Sequence, residues 1–570
     1  MNKAKLLMVF LFSIFTFVNA QKNIGIDYYG IKDYELAKKY FLQKLSENPA
    51  EAHYYLGEIA FAEGQLEEAE NYYNKGLQTK FDFYCKIGLA KINLKKGQKS
   101  EALSSLLSIQ KKHSSDIDIL VAIGYAYLDN QLYKDVESLL KDMQKVDKKN
   151  PKIYVLEGDM FNSMQQNGVA AGKYEMAILF DPNYAPAYIK LAEVYEKSNW
   201  QVAIEKLKNL LERHPDYTIA YRYLGKIYTN NMRLSLAIDA FKAFFAAGNY
   251  TLDDIGKYAQ ALFFNKNYDE ANEKIKEGLA INPSHFVLNR LQMYVAAHTL
   301  NIEAGLNYAK QFFLLKKEQP DEYITLDYSM YALLLKEAKM YDEAIEQYKQ
   351  VLLKDNTAIE SYKEIAILAN LKGQSGVAAD YYRYYIEKSE PEKIDVMDYF
   401  QMGRYYYSAS TFRNATDTAN LLLRYKDDNF LSTISENELQ KDSLLANVQL
   451  FIEKALKYYM NQADRAFGKV IELVPDGYTG YMWKGRVNSL MDPNSEMGLA
   501  KPYYEKVVEI LAEREEKTNI VINSLVEAYS YLGYYYYLKE DKPNITLFWN
   551  KVLELDPENT NANAVLKPKK

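Results

Sequence analysis

Cysteine is nearly missing from this chain of 570 residues: Cys85 stands alone. It can form no intramolecular disulfide and no thiolate metal cluster. It sits among apolar neighbours in "FDFYCKIGLA", which reads as a buried, inert thiol. Histidine is scarce as well. His53, His113, His214, His285 and His298 are far apart, and none falls in a metal-ligand spacing. There is no phosphate-binding loop, no GxSxG elbow and no cysteine–histidine pair of a known protease pattern. "GQSGVAAD" (373–380) contains a GxxG, but it lies where a turn between two helices is expected. Paired carboxylates such as Glu67 and Glu68 read as a solvated face. These absences exclude the common catalytic constellations, so no enzyme activity, catalytic residue, cofactor or metal is expected.

Charge of one sign is lacking too. The formal net charge is −6, and both signs are scattered along the chain. That argues against nucleic acid as a partner. Beyond residue 20 no stretch is long and apolar enough to span a membrane. Residues 1–20, "MNKAKLLMVFLFSIFTFVNA", have a basic start at Lys3 and Lys5, a short apolar run and a Val18-Asn19-Ala20 site. This reads as a secretory signal peptide. No cysteine follows the site, so a lipoprotein is not expected. The protein is expected to be exported in a bacterium: periplasmic, outer-membrane-associated or secreted.

What the chain does have is a repeat. "YELAKKYF", "LEEAENYY", "KYEMAILF", "LSLAIDAF", "YDEANEKI", "YDEAIEQY" and "FRNATDTA" vary one phrase, a small residue followed four places later by a large one. The small positions are Ala37, Ala69, Ala102, Val136, Ala170, Ala203, Ala237, Ala271, Ala304, Ala344, Ala378, Ala415, Ala463, Ala500 and Ile545, with steps of 32 to 34 residues as far as Ala304. Twelve residues earlier there is often glycine or alanine, and twelve later often proline, as at Pro49, Pro182, Pro215 and Pro283. Apolar residues three and four apart make one face of each of two antiparallel helices. The glycine is expected to face the small residue so that the backbones approach, and the proline ends the second helix.

These positions resemble the tetratricopeptide repeat (TPR) family. Residues 151–184 carry Gly158, Phe161, Ala170, Tyr174, Ala177 and Pro182 at the family's spacing, and 218–251 carry Tyr221, Leu224, Gly225, Tyr228, Ala237 and Phe241. The resemblance covers about residues 21–560. It implies an all-α solenoid of about fifteen stacked helix-turn-helix repeats in a right-handed superhelix, with first helices lining the inner groove. Val136 and Ile545 depart from the pattern by their size, and the repeat around Ala304 lacks the glycine.

Three stretches break the rhythm: 316–323, 426–443 and 491–497, the last followed by a long spacing at 513–518. The organisation expected is a signal peptide (1–20), an N-terminal array (21–425), a polar insertion or joint (426–446) and irregular C-terminal repeats (447–570) with a partial capping helix and a basic tail. "DSL" at 442–444 matches an O-glycosylation pattern of some bacteria.

Some members of the family clamp a partner's terminal carboxylate with lysines and asparagines on the inner face. Here the comparable positions are Val155 and Asp159, Ile189 and Glu193, and Arg222 and Lys226, so that set is missing. In the C-terminal repeats the same stripe gives Phe400, Arg404 and Tyr407, then Met482 and Arg486, then Tyr534 and Tyr537. Aromatic residues, methionine and arginine are enriched at binding interfaces. These seven are the candidate partner-binding residues. The function expected is a non-enzymatic scaffold of the cell envelope that binds a protein segment in its groove. The alternative is a glycan-binding protein that stacks sugars on groove tyrosines. Association with other envelope components is consistent with either.

Overall fold

The computed structural model describes residues 24–315, 322–411, 415–425, 427–435 and 438–566. The signal-peptide reading, most of the 316–323 break and the basic tail lie outside them. The described residues form 32 α-helices and no strand. By its contacts the chain divides into two compact units between Val295 and Ala296.

The helices come in antiparallel pairs because each has one apolar face. The small residue of nearly every second helix is fully buried, from Ala37 and Ala69 through Ala237 and Ala344 to Ala463. Four residues on, Phe41, Tyr73, Tyr174, Phe241, Tyr382 and Phe467 are buried as well. These rings correct one expectation. The first-helix glycine faces the ring, not the small residue. A methyl group on Gly57 would lie 2.5 Å from Tyr73, one on Gly158 2.4 Å from Tyr174, and one on Gly403 2.8 Å from Phe467. At these glycines the ring presses on the backbone closely enough that no side chain would fit beside it. Pro182, Pro215 and Pro283 stand two residues past the ends of second helices, as expected, and Pro49 and Pro151 are the first residues of the next first helices, where a missing N–H is harmless.

The turn within most pairs places one residue in the left-handed region, five before the small position. Glycine fills it at Gly64, Gly97 and Gly373, and Lys32, Gln131, Gln165, Met232, Lys266 and Lys339 fill it elsewhere. This mark corrects the register of one repeat. Leu300 is left-handed, so the small residue of that repeat is Gly305, which is buried, while Ala304 is only partly so. A methyl group on Gly305 would meet Leu334 at 2.5 Å.

The C-terminal unit holds the largest departure. Helix Val396–Ala409 pairs with the 26-residue helix Val448–Leu473, through Gly403 and Phe467. The phrase around Ala415 is not its second helix. Ala415–Leu422, Asp428–Ile434 and Glu438–Ala446 are short helices inserted between the two partners. The stretch expected as a polar joint is packed in its described residues. Phe430, Leu431, Ile434 and Leu444 are buried in one core with Phe451 and Tyr459. Phe430 stacks on Tyr459 at 5.5 Å. Arg424 pairs with Asp380 at 2.6 Å and lies 3.7 Å over the Phe430 ring. The polar letters between hid four apolar anchors.

The break at 491–497 is an ordered loop built on one carboxylate. Asp492 is buried. Its Oδ1 accepts from the Glu496 amide at 2.9 Å, and its Oδ2 accepts from Met497, Gly498 and Leu499 at 3.1, 2.7 and 3.3 Å. A left-handed Gly498 brings the chain onto the Tyr535 ring, 2.7 Å from where a methyl group would sit.

Candidate functional site

In the N-terminal unit the inner stripe of the first helices is a run of internal ion pairs. Glu58 accepts from the hydroxyls of Tyr29 and Tyr73 at 2.7 and 2.6 Å. Lys91 Nζ lies 2.9 Å from Glu58 and 2.6 Å from Asp129. Lys91 is 2% exposed and Glu58 3%. Burial alone would raise the Glu58 carboxyl, but the Lys91 charge and the bonds from Tyr73, Lys91 and Tyr29 outweigh it and hold the group below its ordinary value. Further along, Asp159 accepts from Tyr125 and Tyr174 at 2.7 Å each and pairs with Lys190 at 3.0 Å. Glu193 accepts from Tyr223, and Lys226 pairs with Glu196 at 3.1 Å. Arg222 bridges Asp33 and Asp254. The inner residues singled out by sequence are therefore engaged within the unit, and Val155 and Ile189 are buried. Their partners sit one repeat away (Glu58 and Lys91, Tyr125 and Asp159), a signal the sequence does carry.

The C-terminal unit presents a different stripe. Trp483, which sequence reading missed beside Met482, is its centre. Its ring stacks on buried Phe467 at 5.5 Å. Phe400 meets it at 5.9 Å and Tyr407 edge-on at 5.2 Å. Two arginines lie over it. Arg404 is 5.8 Å from the Trp483 ring and 6.0 Å from Phe400, and Arg486 is 4.7 Å from Trp483. Their electrostatics differ. Arg486 donates from Nε and Nη2 to the two oxygens of Glu527 at 2.8 and 2.7 Å, the bidentate geometry that neutralises a guanidinium. Arg404 is exposed and makes no ion pair with any described residue. Glu527 belongs to helix Asn519–Leu538. Tyr534 lies seven residues on, two helical turns along the same face. Tyr534 and Tyr537 are 45% and 53% exposed. Gly533 packs against Trp549, and Tyr536 stacks on Phe548 at 5.5 Å. The structure thus brings Phe400, Arg404, Tyr407 and Arg486 together around Trp483, with Tyr534 and Tyr537 further along the last long helix. Met482 does not join them. It is 3% exposed, in the core with Tyr504 and Leu525. Val155 and Ile189, at the equivalent position, are buried likewise, whereas Phe400 there is only partly so.

No group of described histidine, cysteine, aspartate and glutamate residues could hold a metal ion, and no described helix is long and apolar enough to cross a membrane. Burial pushes the Cys85 thiol up to about 12.

A family model for the tetratricopeptide repeat matches residues 23–82 and 193–250, both within the stacked helix pairs. The chain carries tetratricopeptide repeats. As a TPR-containing chain it has a fold that serves as a scaffold for protein–protein interaction. Among solved structures, this TPR chain is similar to the C-terminal part of a TPR repeat-containing protein from Cytophaga hutchinsonii, at 25% identity, over 55% of this chain and 99% of that one, with a TM-score of 0.36. It is similar to a tetratricopeptide repeat protein from Parabacteroides merdae at 15% identity, over 45% and 98%, with a TM-score of 0.32. It is also similar to Cut9 with Hcn1 of the APC/C at 13% identity, over 92% and 97%, with a TM-score of 0.31. No curated protein matches the TPR chain in sequence.

Proposed function

We propose that this protein is a non-enzymatic, exported scaffold of the cell envelope that holds a segment of a protein partner along the inner stripe of its C-terminal unit. One observation carries the reading. Arg404 lies exposed over Trp483 and Phe400 without a carboxylate partner among the described residues, whereas the inner charges of the N-terminal unit are matched internally. An aromatic and arginine surface with one charge left open suits an anchor for a partner's side chains and a carboxylate. Tyr534 and Tyr537 extend it.

Partner capture from the native envelope, with identification by mass spectrometry, tests the proposal. Arg404→Glu and the double change Tyr534→Ala/Tyr537→Ala should each weaken capture at least about tenfold while stability stays within roughly 0.5 kcal/mol, as for exposed positions. Tyr536→Ala should lower stability by about 2 kcal/mol through its lost stacking. Undiminished capture by both exposed-surface variants, or retention on envelope polysaccharide and on no protein, would overturn the reading. Export has its own test. The protein isolated from its native host should begin at Gln21, and an intact Met1 would refute it.

A further inference from the structure

Asp33 and Arg222 are 189 residues apart and joined. Asp33 is the N-cap of helix Tyr34–Lys44; its Oδ1 accepts from the Leu36 amide at 3.2 Å, and its Oδ2 takes the Arg222 guanidinium. Asp254 is built the same way. Its Oδ2 closes a capping box with Thr251 at 2.9 Å on helix Leu252–Phe264, and its Oδ1 accepts from Arg222 Nε. Each carboxylate is thus aimed by a helix start with one oxygen and offers the other to the same arginine. Arg222 itself sits on the inner stripe of helix Thr218–Asn230. The first helix, Ile24–Gly30, joins this contact through Asp27 and Tyr28. Asp27 faces Tyr217, and its charge is felt by Tyr28, Tyr184 and Tyr217. The first helix pair therefore stands against the inner side of the sixth, seventh and eighth pairs.

We propose that this contact is a latch that closes the groove of the N-terminal unit on itself, with the first helix pair as resident occupant of a face made by Tyr184, Tyr217, Arg222 and Tyr223. The occupant brings carboxylates, Asp27 and Asp33; the face brings a guanidinium and phenol donors. A solenoid opens by small rotations spread over its repeats, so release needs no unfolding. The latch is also sensitive to pH. Loss of water around Asp27 pushes its carboxyl up to about 7, a rise that the nearby Tyr217 hydroxyl only partly opposes. That hydroxyl has no partner in hydrogen-bond geometry. Tyr28, Tyr184 and Tyr217 feel the Asp27 charge, and Tyr28 also feels Arg222, Asp33 and Asp254. A carboxyl raised in the closed state favours closure while protonated, so closure weakens as pH rises through the value of the closed state.

Hydrogen exchange of the full chain, corrected for intrinsic rates, tests this. Protection of residues 24–33 should fall about tenfold between pH 6 and pH 8.5, as expected for a carboxyl that moves from near 4 when open to about 7 when closed. Asp27→Asn should abolish that fall. Arg222→Met should lower protection of 24–33 at both pH values and leave the C-terminal unit unchanged. Flat protection in the wild type, or a pH dependence that survives Asp27→Asn, would overturn the latch. These two arms decide the question even if Arg222→Met unfolds the unit. Partner capture by the C-terminal unit should be unaffected by Asp27→Asn, which keeps the two proposals separable.

Discussion

Lys91→Met should destabilise the N-terminal unit by about 3–5 kcal/mol, the usual penalty when one member of a buried ion group is removed. The methionine keeps the packing over Phe61, where Lys91 Nζ now lies 4.3 Å from the ring centre, so the loss is one of charge. Glu58 would be left buried with only its two tyrosine donors. The effect also has a pH signature. In the wild type the folded-state value of Glu58 is depressed, so its contribution is present at neutral pH and is lost as pH falls through that value. In the variant, burial acts without the lysine and raises the value, so protonation relieves the strain. The deficit should be largest near pH 7 and shrink toward pH 4. Denaturant unfolding at both pH values measures it, with hydrogen exchange to place the loss in residues 49–146. A deficit under 1 kcal/mol, or one that grows as pH falls, would show that the lysine carries little. Lys91→Met combined with Glu58→Gln should recover part of the loss, because the uncompensated charge is gone.

Asp492→Ala should cost about 3 kcal/mol. Four backbone amides would lose a charged acceptor in a buried loop, and bonds to charged groups are each worth roughly 1.5–3 kcal/mol but do not add fully. Asp492→Asn keeps one oxygen acceptor and should lose about half as much. Amides 496–499 should exchange quickly in the alanine variant, and the melting temperature should fall. If alanine and asparagine melt alike, within a degree of the wild type, the loop does not depend on this carboxylate.

Much of the fold was written in the sequence at short range. The small residue and the ring four places later recur so often that the helix pairs could be placed by counting. The errors came where the count had no independent mark. Ala304 and Gly305 are both small, and only the left-handed Leu300 settles the register. The phrase around Ala415 has the right letters but not the right place, since Gly403 packs on Phe467 across an insertion. The candidate site was legible by stripe and not by depth. Met482 follows the spacing yet is sealed in the core, while the Trp483 ring one residue on gathers the stripe. The link between Asp33 and Arg222 depends on how far the repeats curl, which no local pattern states.

The insertion before Val448 bears on how the chain finds its fold. Gly57 and Tyr73 are 16 residues apart, Gly403 and Phe467 are 64. Closing a fourfold longer loop costs about 1.2 kcal/mol more in chain entropy, so this pair is slow to form while the pairs before it can already stack. Made from the N-terminus, the chain meets "FRNATDTA" long before it meets Phe467. That phrase has the letters of a second helix and is made while the face of Val396–Ala409 still lacks its native partner. The native pairing is the most widely separated of these first-helix glycine–ring pairs, so the chain is longest without its partner here, and newly made protein is most open to the wrong contact at this joint.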